Sequence, residues 1–158
     1  MCQTSLWSKQ DPSMIAVITS CCYQNLLLEL SPHQAKRLHT TLARFVEAGE
    51  MFKDAMRRET YKEVGIWIDA YSVRYIGSQP WPFHQSTIIG FQATADDKVE
   101  LTIDETKIVS AILFSRDEVE QAARVEGPTI QKAVGEKIVK DDPCIPLLIP
   151  PKVSYFSW

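Results

Sequence analysis

Long apolar runs and targeting signals are missing from this sequence. Its apolar stretches are only a few residues long, far short of the roughly 20 residues that a membrane-spanning helix needs. The N-terminal segment MCQTSLWSKQDPS lacks the apolar core of a signal peptide, and the final residues SYFSW match no retention, peroxisomal or prenylation signal. We therefore expect a cytoplasmic protein that does not insert into a membrane.

Cysteine patterns that bind metal or form disulfides are also missing. The chain has 4 cysteines, and none of them belongs to a C-x-x-C pair. Adjacent cysteines, such as the two in the middle of the N-terminal third, rarely bridge each other. We therefore predict reduced thiols and no zinc site at all four positions, Cys2, Cys21, Cys22 and Cys144.

The composition is that of an ordinary globular domain. Its 158 residues suit one domain with one core, and 45 % apolar and 23 % charged residues are typical of a soluble protein. A net charge of −3 gives no electrostatic case for non-specific binding to nucleic acids.

Short β-rich runs outnumber the helical segments and do not alternate regularly with them. That order predicts an α+β fold with a mixed sheet, not a doubly wound α/β fold. Ser115, followed three residues later by Glu118, forms a capping box for a helix. The two prolines of Ser78–Phe83 predict a stretch without regular structure. The predicted strands are Met14–Thr19, Leu26–Leu30, Ile66–Ile76, Thr87–Ala95, Val99–Ile103 and Ile108–Phe114; the predicted helices are Met51–Val64, Ser115–Arg124 and Thr129–Val139; the tail Asp141–Trp158 is predicted to be extended.

The helix Met51–Val64 carries two carboxylates on one face. It ends before Gly65, the usual residue just past a helix end, and helical spacing aligns Glu59 with Glu63. Two carboxylates four residues apart repel each other, and a divalent cation between them would remove that repulsion because hard ions prefer oxygen ligands. A solvated helix face with neighbouring basic residues as counter-charges is the alternative that the residues alone leave open.

The spacing around this helix resembles the Nudix box, G-x5-E-x7-R-E-U-x-E-E-x-G-U, in which U is a bulky apolar residue. The loop–helix–loop of that box usually holds Mg²⁺ or Mn²⁺ against a diphosphate. Three positions depart from it: Arg44 stands at the opening glycine, Thr60 at the bulky apolar residue, and Lys62 at the first glutamate of the E-E pair. The matching positions are Glu50, Arg58, Glu59, Glu63, Gly65 and Ile66.

A second motif points to one branch of that superfamily. SQPWPF begins 12 residues after the end of the box and resembles the signature SQPWPFP of the NADH pyrophosphatases, with His84 at the final proline. The segment Leu38–Glu50 resembles the family's pre-box segment, and PSMIAVIT and IPPK resemble its first strand and its proline-rich close. The resemblance implies a single Nudix domain over residues 1–158, with a core at about 12–151 and without the family's N-terminal domain and zinc ribbon.

The resemblance also implies an activity and a site. The expected fold is the Nudix α/β/α sandwich, and the expected reaction is hydrolysis of the diphosphate of NADH or NAD⁺ to AMP and nicotinamide mononucleotide, with Mg²⁺ or Mn²⁺. Related members act on ADP-ribose and on NAD-capped RNA ends, often as homodimers that share a pocket. The implied site residues are Glu59 and Glu63 for metal binding and catalysis, Glu50 as a further metal ligand, Arg58 to orient a carboxylate, and Phe45, Gln79, Trp81 and Ser86 to bind substrate.

Positive charge has replaced expected family residues at three positions. The family places a further glutamate ligand in a segment that here begins with Lys107, and Arg44 and Lys62 are the other two changes. Glu105 could replace that glutamate if its strand is regular. Three hypotheses stay open: a hydrolase with one metal on its two helix carboxylates, an inactive module that binds a nucleotide diphosphate through the three basic residues, and a structural or dimerising remnant without a ligand.

Overall fold

A mixed sheet with one helix on each face forms the protein in its computed structural model, which describes residues 10–33, 38–81, 85–96 and 98–124. The predicted helix Thr129–Val139, the extended tail Asp141–Trp158, Cys2 and Cys144 lie outside these residues. The elements are β1 (Asp11–Ser20), β2 (Asn25–Leu30), β3 (Leu42–Phe45), α1 (Phe52–Val64), a 3-10 turn (Ala70–Ser72), β4 (Arg74–Trp81), β5 (Ser86–Ala95), β6 (Ser110–Ser115) and α2 (Arg116–Ala123).

Strand β1 is the centre of the sheet. The strand order is β4-β5-β1-β2-β6, and β1 runs parallel to β5 while the other pairs are antiparallel. The other edge of β1 is divided, since its residues 13–16 pair with β3 and its Thr19 pairs with β2. This fork brings β2 and β3 to the same side of β1.

Each face of the sheet has its own core. Side chains at alternate positions of β1, such as Met14 and Ile18, pack with Met56 and Val64 of α1 on what we call the α1 face. Val17 packs with residues of β2, β6 and α2 on the opposite, α2 face. The predicted α/β/α sandwich with a mixed sheet is therefore confirmed.

Local signals set the C-terminal end of α1 and the N-terminal end of α2 as predicted. Helix α1 begins at Phe52 and ends at Val64, and the next residue, Gly65, adopts a left-handed φ of 74°. The α2 helix has the predicted capping box, in which Ser115 accepts from the Glu118 backbone and the Glu118 carboxylate accepts in return. No helix among the described residues combines the length and apolarity needed to cross a membrane.

Two predictions in the middle of the chain are wrong, one of a strand and one of an irregular stretch. The segment Ile66–Ile76 is not a strand before Arg74, because Asp69 caps a 3-10 turn by accepting from the Tyr71 backbone. The motif around Pro80 is regular as far as Trp81, because it lies in β4 at the edge of the sheet, where a strand tolerates a residue without an N–H. The rest of that motif, residues 82–84, is outside the described part.

The segment predicted as a strand at Val99–Ile103 instead follows the end of α1. The backbone N–H of Thr102 donates to the Val64 carbonyl, and that of Asp104 donates to the Glu63 carbonyl, both at 3.0 Å. These bonds satisfy helix-end carbonyls that have no partner inside the helix. Because the segment pairs with a helix end, strand β6 begins only at Ser110, and residues 105–107 form a turn.

Candidate active site

Two carboxylates of α1 point into the protein near the fork of the sheet. Glu63 is completely buried and Glu59 nearly so. A buried carboxylate is costly unless it meets a cation or a hydrogen-bond donor, so the partners of these two residues determine what the site can do.

Arg44 joins Glu63 to a carboxylate from outside the Nudix box. Its Nε donates to Glu63 Oε1 at 2.5 Å, and its Nη1 and Nη2 donate to Glu29 at 3.0 and 2.9 Å. Glu29 lies on the buried strand β2, which the fork brings beside β3. Nη1 also donates to the Ala43 carbonyl. Every nitrogen of the guanidinium therefore donates at least one hydrogen bond. The arginine at the position of the box's first glycine is therefore a structural ion-pair partner.

Lys107 reaches the same carboxylates from the turn before β6. Its Nζ lies 3.5 Å from Glu59 Oε2 and 3.7 Å from Glu63 Oε1. One ammonium is thus shared by the two residues that the box spacing singles out. Glu105 does not replace the missing family glutamate on a strand, because its segment is an exposed turn.

Arg58 connects the start of the box to its helix. Its Nε and Nη2 donate to the two oxygens of Glu50 at 2.7 and 2.8 Å, and its Nη1 donates to Glu59. This is the bidentate geometry expected of an arginine that orients a carboxylate. The four carboxylates of the cluster thus meet three cations of the chain itself, Arg44, Arg58 and Lys107.

The ion pairs and burial shift several pKa values. Burial raises the pKa of Glu29 although Arg44 opposes the effect, and hydrogen bonds from Arg58 lower the pKa of Glu50. The carboxylates of Glu59 and Glu63 raise the pKa of Lys107. Lys62 is exposed on α1.

The four predicted substrate-binding residues share the other face of the sheet. Gln79 pairs with Ile88, Ile88 with Ser13, and Ser13 with Phe45. Paired residues of neighbouring strands point to the same side of a sheet, so Gln79 and Phe45 both point to the α2 face. Trp81 and Ser86 form the next row on that face. Phe45 is 65 % exposed, while Arg44, one residue earlier, points to the α1 face. The carboxylates and the predicted base-binding residues therefore lie on opposite faces of the sheet, and the consecutive β3 residues Arg44 and Phe45 face one side each.

A separate cavity lies near the other end of α1. It has a volume of about 1070 Å³ and is lined by aromatic residues of α1, the 3-10 turn, β4 and β5. None of the predicted site residues lines it.

The architecture and the carboxylate-bearing helix define a class of protein, and comparison with known families identifies it. A mixed sheet between two helices, with buried glutamates on a helix that a left-handed glycine ends, is the arrangement expected of a Nudix domain. Residues 9–133 match the family model described as NUDIX domain. The chain belongs to the Nudix family, as its box predicted.

Relatives by sequence share one name. Over 112 residues, the chain is 38 % identical to "NAD-capped RNA hydrolase NudC" of Mycobacterium bovis, covering 71 % of the chain and 35 % of that protein. It is 34 % identical over 149 residues to "NAD-capped RNA hydrolase" of Schizosaccharomyces pombe, covering 94 % of the chain and 36 % of that protein. The chain therefore spans about a third of the length of these relatives. Their name supports the predicted NADH pyrophosphatase branch.

A solved structure supports the fold. The chain is similar to a MutT/nudix family protein from Enterococcus faecalis, with a TM-score of 0.60 and 17 % identity, over 72 % of this chain and 47 % of that one. At this identity the likeness concerns the fold alone.

The donor set fits one divalent ion. Glu59 and Glu63 converge on one cation position, and Glu63 Oε2 is buried without a hydrogen-bond partner in the described part of the protein. No group of three candidate ligands is assembled among the described residues. Mg²⁺ is commonly held by one or two carboxylates together with water and substrate phosphates, so two suffice. Glu50 pairs with Arg58 through both its oxygens, and its role as a further metal ligand stays a prediction.

Glu29 is the site residue that sequence reasoning missed. A signal for it was available: the segment LLLEL places one carboxylate in an otherwise apolar strand. Such a residue needs a buried partner. That partner is Arg44, which the fork of the sheet brings beside Glu29. Neither the sequence of β2 nor that of β3 predicts this contact.

Proposed function

We propose that the chain hydrolyses the diphosphate of NAD(H) or a closely related nucleotide. The observation that carries the proposal is the buried pair Glu59 and Glu63, whose carboxylates converge on a single cation position. The name shared by the sequence relatives supports an NAD-linked substrate. One water would be consumed, the bond between one phosphorus and the bridging oxygen would break, and each product would keep one phosphate. From NADH the products would be AMP and reduced nicotinamide mononucleotide.

The residues of the chain divide the work by position. Glu59 and Glu63 would hold Mg²⁺ or Mn²⁺, which supplies charge neutralisation at the diphosphate and activation of water when bound. Arg58 orients Glu59, and Arg44 fixes Glu63, so both carboxylates have a set direction before ligand arrives. This pre-organisation is the contribution that the chain makes through its own hydrogen bonds.

Nucleotide rings would bind on the α2 face. Phe45 offers an exposed aromatic ring, and stacking on a base contributes roughly 1–3 kcal/mol. Gln79 lies in the same row three strand spacings away, about 14 Å at the usual spacing of 4.8 Å. A base stacked on Phe45 would place the diphosphate at the β3 edge, where the neighbouring residue Arg44 contacts Glu63. Trp81 would extend this surface, and Ser86, which is buried opposite it, would shape the surface from beneath.

Metal-free binding through the three basic residues is not favoured. Arg44 already donates four of its five N–H groups to protein oxygens, so its charge is committed to Glu63 and Glu29. Lys107 is likewise directed at the helix carboxylates. Activity on ADP-ribose or NAD-capped RNA, assembly as a homodimer and the single-domain organisation over residues 1–158 stay predictions.

Release of AMP from NADH in the presence of Mn²⁺ tests the proposal. The wild type should release AMP and reduced nicotinamide mononucleotide in equal amounts, and Glu63→Gln should lower the rate by about 100-fold or more because it removes one of two metal-binding carboxylates. Glu105→Gln is the matched control: it removes the same charge from the exposed turn beside Lys107 and should leave the rate unchanged. A folded wild type that releases no AMP would refute the proposal.

A further inference from the structure

The two helix carboxylates already hold a cation that belongs to the protein. Lys107 Nζ lies within 3.7 Å of both Glu59 and Glu63, one oxygen of each. No other cation of the described residues is recorded in an ion pair with both of them. The position where the pair would accept a divalent ion is therefore the position where the ammonium now lies.

Backbone structure brings Lys107 to that position. The N–H groups of Thr102 and Asp104 bond to the last carbonyls of α1, and the Asp104 carbonyl then accepts from Lys107 and Ile108 at 3.0 and 3.1 Å. The turn is thus anchored to the end of the helix that carries Glu63. Its lysine is consequently held near the carboxylates by the fold.

Lys107 is nevertheless able to leave. Its side chain is 34 % exposed, and its contacts of 3.5 and 3.7 Å with the carboxylates are longer than those that Arg44 makes with Glu63 and Glu29. Arg44, which donates through all three of its nitrogens to Glu63 and Glu29, would stay in place while Lys107 moved. The site therefore contains one firmly held cation and one displaceable cation.

We propose that Lys107 is a tethered cation that competes with a divalent metal for Glu59 and Glu63. A metal ion reaches the two carboxylates only when the lysine side chain withdraws toward solvent. The affinity for metal is then set by this competition, and removing the ammonium should increase it. The inference rests on the proposed metal site, but it concerns metal affinity and not turnover.

Titration of the full chain with Mn²⁺ alone, without nucleotide, tests the competition. Free Mn²⁺ is followed by electron paramagnetic resonance, and binding is compared for wild type and Lys107→Met. We expect Mn²⁺ to bind Lys107→Met about tenfold more tightly or better, since a unit charge within 4 Å of two carboxylates is removed. Lys98→Met, which removes the same charge from an exposed turn, is the matched control and should bind like wild type.

A second variant tests whether the increase in Mn²⁺ affinity arises at these two carboxylates. In Lys107→Met/Glu63→Gln the tighter binding should disappear, and Lys107→Gln serves in place of Lys107→Met if the latter does not fold by circular dichroism. Equal affinity in wild type and the folded Lys107 variant would overturn the inference, as would a gain that persists in the double variant. Tighter Mn²⁺ binding without AMP release would support the inference and refute the proposed activity, so the two failures are distinguishable.

Discussion

Arg44 is the residue whose removal should damage the fold most among the ion pairs of the site. It donates to two buried carboxylates, at 2.5 Å to Glu63 and at 2.9 and 3.0 Å to Glu29, and its own side chain is only 23 % exposed. Removing one partner of a buried ion pair costs about 3–5 kcal/mol, because the remaining charge is left without compensation. A domain is stabilised by only about 5–15 kcal/mol in total.

Arg44→Met should therefore lower the free energy of unfolding by about 3–5 kcal/mol and the melting temperature by roughly 6–20 °C. Urea unfolding at pH 7, followed by circular dichroism, measures the change. Arg116→Met is the matched control: it breaks a surface pair with Glu120, in which both side chains are at least half exposed, and should cost less than about 1 kcal/mol. Arg44→Met/Glu29→Gln should recover part of the loss. An Arg44→Met protein within about 1 kcal/mol of wild type would refute the structural role of this arginine.

Three further predictions concern the helix ends and the start of the box. Gly65→Ala should cost about 1–3 kcal/mol in urea unfolding, because φ is 74° and the new Cβ would lie 2.9 Å from Thr102 Cβ; an unchanged midpoint would contradict this. Ser115→Ala should cost about 1 kcal/mol by losing the cap of α2, and a cost near zero would mean that the cap contributes nothing. Hydrogen bonds from Arg58 hold the pKa of Glu50 below 4.5, so their stabilisation is present above pH 4.5 and is lost as pH falls through the lowered pKa. Glu50→Gln should thus be less stable than wild type at pH 7 with a gap that closes in acid, and a gap independent of pH would rule out this linkage.

The features that could be predicted from the sequence depend on residues close together in the chain. Gly65 follows the last residue of α1 and adopts the left-handed conformation that ends the helix. Ser115 caps α2 through Glu118, three residues later. The wrong predictions concern segments whose structure depends on contacts with distant parts of the chain. Pro80 can lie in β4 because that strand is at the edge of the sheet. Thr102 is not part of the sheet, because its backbone N–H donates to the Val64 carbonyl at the end of α1.

The site divides in the same way. Glu59 and Glu63 share a helix face by spacing alone, so their convergence was predictable. The ion pairs around them join β2, β3, α1 and the turn before β6, and no local pattern contains these contacts. Sequence reasoning identified Arg44 and Lys107 as unusual positive charges, but it could not tell whether they face a ligand or the protein's own carboxylates. In the structure both face carboxylates.

The most direct test of the carboxylate pair as a metal site is the anomalous scattering of Mn²⁺ in crystals of the wild-type protein. The crystals should be grown at the Mn²⁺ concentration that supports maximal AMP release. We expect one anomalous peak within bonding distance of Glu59 and Glu63, with the Lys107 side chain moved away from both. Carboxylates without Mn²⁺, and with Lys107 still between them at that concentration, would contradict the role of this pair in metal-dependent hydrolysis.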